Sequence, residues 1–255
     1  MTESIRLELD GRRATLTLAK PPLNILDLEM LAALDGRVAE LAAISDLQLV
    51  VVRGDGGKAF SAGVSIQDHT PDKIDRMLLG FHGALERLRA LDALTVAAID
   101  GHCLGGGLEL ALCCDLLFAS ERSRFGQPEI QLGCFPPVAA AILPRRIGAG
   151  PALELMLSGR TLDAAEALSL RLVDRVLAQA ELATEIERLA EWLLAKSAVA
   201  SRLTKRAVRA GLDRPFGPAL KEAERLYLSE LAASADMVEG IEAFLAKRPP
   251  EWRHR

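Results

Sequence analysis

Apolar and polar residues alternate through Ile5-Arg6-Leu7-Glu8-Leu9 and again through Ala14-Thr15-Leu16-Thr17-Leu18, with Asp10-Gly11 between them. Period two on either side of an Asp-Gly turn predicts a β-hairpin. The loop Lys20-Pro21-Pro22-Leu23-Asn24 ends it, because proline has no N–H to give to a ladder. From Asp27 the spacing changes to three and four (Leu28, Leu31, Leu34, Val38, Leu41), which is the period of a helix. Leu47 to Arg53 is a near-continuous apolar run, the pattern of a strand buried on both faces, and it stops at Gly54-Asp55-Gly56-Gly57. A short strand at Ala59-Phe60-Ser61 precedes a second helical pattern over 72–91, carried by Ile74, Met77, Leu78, Phe81, Leu85 and Leu88. Thr95 to Ile99 reads as the next strand, broken at Asp100-Gly101. Gly105-Gly106-Gly107 then open an apolar helix that carries Glu109.

The order of two strands and then a helix therefore recurs over about the first 140 residues, without self-similarity at a fixed period. It predicts an α/β core whose ligand lies at strand ends. From Val138 onward the pattern is almost all helical, with helices expected over 138–147, 151–158, 163–170, 180–195, 198–211, 217–233 and 236–247 and a short strand within Leu172–Leu177. Prolines 215 and 218 mark a joint in this region. The expected division is a core domain over 1–195 and a helical region over 196–255 that docks on the core or on a neighbouring subunit.

Composition narrows the class. Half of the 255 residues are hydrophobic but only 4% are aromatic, so the core must be built from Leu, Ala, Val and Ile. A net charge of −4 lacks the basic footprint of a nucleic-acid partner. The basic run Lys205, Arg206, Arg209 and Arg214 is expected to be a solvated helix face rather than an RNA site. Cys103, Cys113, Cys114 and Cys134 have no metal-binding spacing, so buried reduced thiols and no metal are expected. The segment MTESIRLELD has no apolar h-region, and no apolar run reaches the ~18 residues of a membrane span. These features lead to the expectation of a cytoplasmic protein without membrane or nucleic-acid partners.

Among motifs, Gly54-x-Gly56-x-x-Ala59 follows a strand but precedes another strand instead of the helix that a dinucleotide fingerprint requires. Neither a P-loop nor a GxSxG elbow is present, so Ser61 and Ser65 are not expected to be activated nucleophiles. Ala62-Gly63-Val64 and Gly105-Gly106-Gly107 each follow a strand. They could aim two backbone N–H groups at one point as an oxyanion hole, or could be two tight turns packed together. Glu109 favours chemistry: its neighbours at i+3, i+4 and i+7 are Leu112, Cys113 and Leu116, with no cation to pair. A carboxylate on an apolar face is costly unless partners or water satisfy it. Glu129, after Gly126-Gln127-Pro128, could return to the same place as a second carboxylate or be an exposed loop acid.

Four segments, AFSAGVSI (59–66), IDGHCLGGGLELALCCDLLFAS (99–120), FGQPEIQLGCFP (125–136) and EGIEAFLAKRPPEW (239–252), resemble the enoyl-CoA hydratase/isomerase (crotonase) family in order and spacing. The resemblance covers the full chain. It implies a crotonase-like α/β spiral of β-β-α units with a helical C-terminal region that builds homotrimers, often paired into homohexamers. It implies an acyl-CoA substrate, whose thioester oxygen is held by Val64 N–H and Gly106 N–H, and no cofactor beyond the coenzyme A of the substrate. Glu109 and Glu129 match the two glutamates of the hydratases. A hydro-lyase that adds water to a 2-enoyl-CoA is therefore implied ahead of an enoyl-CoA isomerase or a non-catalytic acyl-CoA or RNA binder. The resemblance further assigns Lys20, Asn24, Ala62, Ile66, Phe244 and Lys247 to coenzyme A, and His69, Phe135, Pro136 and Pro137 to the acyl pocket. Ser65 stands where the family usually has Asp, and CFPPVAAAILP replaces a glycine-rich run. In FSAGVxxxxHT and GxFPPVAAAxLP the chain resembles the cyclohexa-1,5-diene-carbonyl-CoA hydratase branch.

Overall fold

A computed structural model describes residues 3–255. The chain lays down four β-β-α units in succession: β1 (Ile5–Asp10), β2 (Arg13–Leu18) and α1 (Leu28–Ala42); β3 (Leu49–Gly54), β4 (Ala59–Ser61) and α2 (Ile74–Ala90); β5 (Leu94–Ile99), β6 (His102–Leu104) and α3 (Gly106–Leu112); β7 (Leu116–Ser120), β8 (Arg124–Gly126) and α4 (Pro137–Ile147). Then come α5 (Ala149–Ser158), β9 (Thr161–Asp163), α6 (Ala164–Ser169), β10 (Arg175–Leu177) and α7 (Leu182–Leu194). Three further helices complete the chain: α8 (Ala198–Gly211), α9 (Phe216–Leu226) and α10 (Ala235–Leu245).

The strands form two sheets: both strands of the first unit join the larger one, and each of the next three units gives its first strand to the larger sheet and its second to the smaller. The larger sheet has the order β1-β2-β3-β5-β7-β10, antiparallel between β1 and β2 and parallel from β2 onward. The smaller has the order β4-β6-β8-β9, with β4, β6 and β8 parallel. The Leu-Val-Val-Val run of β3 is apolar throughout because both its faces are covered. Val50 and Val52 enter the main core with α1 and α2, while Leu49 and Val51 pack with Val96, Phe118 and the Ile186 and Leu193 side of α7. Where GxGxxA suggested a dinucleotide turn, β3 runs through a turn closed by Gly56 N–H donating to Asp55 Oδ1 (2.8 Å) and into β4, with no helix. The three-residue strands β6, β8 and β9 are too short for a period to register in the sequence.

Two sequence expectations change. Asn24 was assigned to coenzyme A, but its side chain is fully buried. Its Nδ2 donates to the carbonyls of Asp55 (3.0 Å), Ala59 (2.9 Å) and Phe60 (3.2 Å), and its Oδ1 accepts from Lys20 N (3.0 Å). The amide staples the β2–α1 loop to both ends of the β3–β4 turn and is not free for a ligand. The basic run of α8 is not a solvated face either. Lys205 is buried, and its Nζ pairs with Asp115 Oδ2 at 2.7 Å and donates to Ala93 O at 2.5 Å. Arg209 meets Asp115 Oδ1 at 2.7 Å, and Arg206 meets Glu230 at 2.6 Å. Asp115 also accepts from Thr95 N (2.7 Å) and Thr95 Oγ1 (2.9 Å), so Lys205 and Arg209 dock α8 onto β5, while Arg206 ties α8 to the segment after α9.

Among the described residues no helix is long and apolar enough to cross a membrane. The four cysteines are free thiols. Burial pushes the Cys103 and Cys114 thiols well up and that of Cys113 to about 12, so all three remain protonated. Asn24→Ala would leave three carbonyls without their donor and is expected to lower folding stability by about 1–3 kcal/mol, read from urea unfolding.

Candidate active site

The residues that follow β4, β6 and β8 converge. These strands are parallel neighbours, so the chain leaves each of them at the same edge of the smaller sheet. Val64 follows β4 and is fixed by a single parallel bridge to Leu26, in which Leu26 N donates to Gly63 O and Ser65 N to Leu26 O, both at 3.0 Å. Gly105 follows β6 with φ +51°, a conformation that suits glycine, and turns the chain into α3. The three glycines each admit a different neighbour. A Cβ at Gly105 would lie 2.6 Å from Glu129 Oε1, at Gly106 2.6 Å from Val64 Cγ2, and at Gly107 2.4 Å from Ser61 O. The same Gly106 Cβ position is 3.2 Å from Val64 N, so the Gly106 and Val64 amides sit side by side. Gly106 is the first residue of α3, where an N–H has no intrahelical acceptor.

Glu109, one turn into α3, is 4% exposed. Its Oε1 accepts from Val138 N (2.8 Å) and Ala139 N (2.9 Å). Those are orphan donors at the start of α4, whose Pro136 N-cap supplies no side-chain bond. Glu109 thus caps a helix 29 residues away in sequence, and its second oxygen has no protein donor among the described residues. Burial raises its pKa to about 7; the two backbone donors oppose that rise and the nearby Glu129 charge adds to it.

Glu129 lies in a short 3₁₀ turn (Pro128–Leu132) after β8, with its carboxyl over Gly105. Burial raises its pKa, while its own backbone N–H and the charge of His69 pull downward. Fully buried Gln127, with its amide nitrogen turned toward this carboxylate, donates to Oε2 at 3.1 Å and Oε1 at 3.3 Å. Two carboxyls and two backbone donors therefore surround one turn, which is the arrangement needed to move protons beside a polarised carbonyl.

The other expected residues divide. His69 closes the turn after Val64 and binds Ser65 O through Nδ1 at 2.9 Å. Asp68, next to it, is buried, accepts from Leu28 N at 3.3 Å and faces Lys73 at 3.5 Å. Ala62 is partly buried, its N–H given to Leu23 O at 2.9 Å. Ile66 is exposed, and Lys20 pairs with Asp27. Phe135 is 71% exposed, so it is not a packed wall within this chain. Pro136 is buried and Pro137 opens α4, so these two act on Glu109 by fixing the helix start that binds it. Phe244 (82% exposed) and Lys247 (φ +54°) lie at the end of α10, which packs on α8.

The phenyl tip of Phe81 borders Gly106 at 3.3 Å from the Cβ position. Phe81, Gln127 and the Val138–Ala139 amides are the parts of the site that sequence reasoning missed. Gln127 had a signal in Gly-Gln-Pro-Glu; backbone donors have none. A separate cavity of about 950 Å³, lined by Leu112, Asp115, Trp192, Lys205 and Leu212 among others, includes none of the converging groups. Lys205 and Arg209 in its lining are closed into the Asp115 pairs, and the carboxyls and backbone donors converge instead at the glycine turn.

Comparison with known proteins agrees with this geometry. The chain matches the enoyl-CoA hydratase/isomerase family profile over residues 12–255. It is 40% identical over 249 residues to the cyclohexa-1,5-dienecarbonyl-CoA hydratase of Thauera aromatica, covering 98% of this chain and 96% of that one. It is 33% identical over 254 residues to the crotonyl-CoA hydratase of Syntrophomonas wolfei, covering 96% of each. The crystal structure of an enoyl-CoA hydratase from Bacillus anthracis superposes with a TM-score of 0.93 at 28% identity, over 99% of this chain and 100% of that one. A β-β-α spiral with two carboxyls at its glycine turn, matched in profile, sequence and structure along nearly its whole length, belongs to the enoyl-CoA hydratase/isomerase family and has the crotonase fold.

Proposed function

We propose that this protein is a hydro-lyase that adds water across the double bond of a 2-enoyl-CoA thioester. The observation that carries this reading is the pair of carboxyls, buried Glu109 and half-buried Glu129, flanking the turn where Gly106 N–H and Val64 N–H lie side by side. The two N–H groups receive the thioester oxygen and stabilise the negative charge that builds there as water attacks Cβ. Glu109, through its free oxygen, orients the water and takes its proton; Glu129 delivers a proton to Cα. An isomerase shuttles one proton and needs one acid, so a second carboxyl at the same turn favours hydration. The RNA-binding alternative loses most of its surface, because three of the four cations proposed for it, Lys205, Arg206 and Arg209, are paired within the chain.

The likeness to the Thauera aromatica hydratase, at higher identity than to the crotonyl-CoA hydratase, supports a cyclic dienoyl-CoA as the preferred substrate. Coenzyme A enters as part of the substrate, along Ala62, Ile66 and Lys20, and no other cofactor is invoked. Phe244 and Lys247 reach the coenzyme of a neighbouring subunit in a homotrimer or a pair of trimers assembled through residues 196–255. The exposed apolar side chains Val208, Leu212, Phe216, Leu228 and Leu245 support that assembly. Free thiols throughout suit the reducing cytoplasm.

Incubation of crotonyl-CoA and of a cyclic 1,5-dienoyl-CoA in heavy-oxygen water tests both levels: label in the product marks hydration, and the expected order is cyclic above linear. Label-free double-bond migration would overturn the hydratase reading, and a clear preference for crotonyl-CoA the cyclic one.

Glu109→Gln and Glu129→Gln are each expected to lower kcat by about 10²–10⁴-fold while leaving acyl-CoA binding nearly intact. The first has a second consequence. Because the folded pKa of Glu109 lies above its unfolded value, its favourable contribution is complete below about 4.5 and is lost as pH rises through about 7. At pH 8 the wild type bears that loss, of order 3 kcal/mol. Glutamine can still accept the Val138 and Ala139 bonds without the charge, so Glu109→Gln should melt several degrees higher than wild type at pH 8 and show little advantage at pH 5.

A further inference from the structure

Beyond α10 the chain turns back on its final helices. The backbone reverses at Lys247, with φ +54°, and Glu239 pins the reversal by accepting from Arg248 Nη1 (2.6 Å) and Glu251 N (2.7 Å). Residues 249–255 then run back along α10. A Cβ at Gly240 would lie 3.2 Å from the Trp252 ring, and Trp252 Nε1 donates to Ala195 O, just past α7, at 2.9 Å. Buried Asp236, in the first turn of α10, accepts from Arg253 N (2.7 Å), His254 N (2.9 Å) and Ser197 Oγ (2.5 Å). This segment straps the end of α7 and the starts of α8 and α10 together.

The strap also completes two helix starts. Ser197 and Ser234 cap α8 and α10 through Ala200 N and Met237 N, both at 3.2 Å, which leaves the first N–H of each helix to other acceptors. Ala235 N donates to Arg255 O at 3.0 Å, and Ala198 N donates to His254 Nδ1 at 3.2 Å. The two bonds differ in kind. A carbonyl accepts at any pH, whereas a ring nitrogen accepts only while it carries no proton. Imidazolium at this place would set N–H against N–H and put a positive charge at the positive end of α8. His254 moreover has φ +60°, a conformation that its surroundings must hold.

The charges that face the ring come from four other elements: Arg12 from the β1–β2 turn, Asp46 from the α1–β3 loop, Arg202 from α8 and Asp236 from α10. Arg253 and Arg255 flank it in the strap. Arg12 is engaged by Gln48 Oε1 (2.6 Å) and Leu194 O (3.0 Å), and Arg202 by Ser45 O. Burial first, then Arg12, holds the His254 pKa below its ordinary value, while Asp236 and Asp46 pull it upward. The contribution of the neutral ring is therefore complete above about 6.5 and is lost as pH falls through the lower folded value. Arg248 holds Glu239 down at about 2, so the reversal after α10 does not titrate in the same range.

We propose that residues 249–255 are an acid-released strap: a proton from solvent on His254 Nδ1 breaks the bond to Ala198 N, which passes to water, and frees α10 from the start of α8. The release stands apart from the hydratase reading. Its effect on acyl-CoA rests on that reading, because α10 carries Phe244 and α10's following turn carries Lys247.

The chain has two tryptophans, so Trp192→Phe leaves Trp252 as the only reporter. In that background three forms are compared from pH 8 to pH 5. One keeps His254. His254→Asn offers Oδ1 as an acceptor that does not titrate, on a residue type that tolerates positive φ, and His254→Ala offers no acceptor. Acrylamide quenching of Trp252 is expected to rise at least twofold below about pH 6.5 in the His254 form, to stay low throughout in His254→Asn, and to be high at every pH in His254→Ala. Butyryl-CoA should bind His254→Asn at least threefold more tightly than the His254 form at pH 5.5 and equally at pH 8. Quenching that does not change with pH in the His254 form, or the same rise in His254→Asn, would overturn the strap. If the strap opens as expected and butyryl-CoA affinity does not follow, the placing of Phe244 and Lys247 on coenzyme A falls while the strap stands.

Discussion

The structure turns on one carboxylate bound inside the protein. Glu109 is almost fully buried, and removing a charge from water is costly unless something replaces the hydration. The replacement is the start of α4, where the N–H groups of the second and third residues both point at one carboxylate oxygen. The arrangement is reciprocal: the helix has no side-chain cap of its own, and Glu109 supplies it. Neither partner is satisfied alone. The compensation is incomplete, which is why burial still raises the pKa to about 7 and why the group can both hold and release a proton near neutrality.

Everything else places groups around that carboxylate with short lever arms. Dividing the two strands of the second, third and fourth units between two sheets brings β4, β6 and β8 together as parallel neighbours although about 20–40 residues separate them in the chain. The first residues beyond those strands supply Val64, Gly106 and Glu129 in turn. The loop that continues from Val64 brings His69, and the helix that continues from Gly106 brings Glu109. The larger sheet supplies rigidity, since β3, β5 and β7 are buried on both faces and α8 is bolted to β5 through Asp115.

How far this was legible depended on where the determining partner lay. Leu28, Leu31, Leu34 and Val38, or the Val50–Val52 run, encode their surroundings in their own spacing, and the elements follow within a residue or two. Glu109 was legible because its apolar neighbours left it without a visible cation. The amides that hold it were not, because any residue but proline carries one. Asn24 and Lys205 were misplaced for a related reason. Polar side chains suggest surfaces, yet Asn24 spends its amide on three carbonyls of the β3–β4 connection, and Lys205 finds Asp115 ninety residues upstream. Phe135 suggested a pocket wall by its chemistry, but the prolines after it direct the chain toward Glu109 and leave the ring in solvent.

The triple glycine carries a consequence for how such a site can change over time. Each missing Cβ is filled by a different body: a carboxyl oxygen at Gly105, a valine methyl at Gly106 and a main-chain carbonyl at Gly107. No single compensating substitution relieves more than one of them, and the last faces backbone that cannot be trimmed. Divergence is therefore closed at the turn and open around it, at positions such as 65 and 135 that do not share those contacts. A lineage built on this turn would keep its way of holding a carbonyl while it exchanged one acyl group for another.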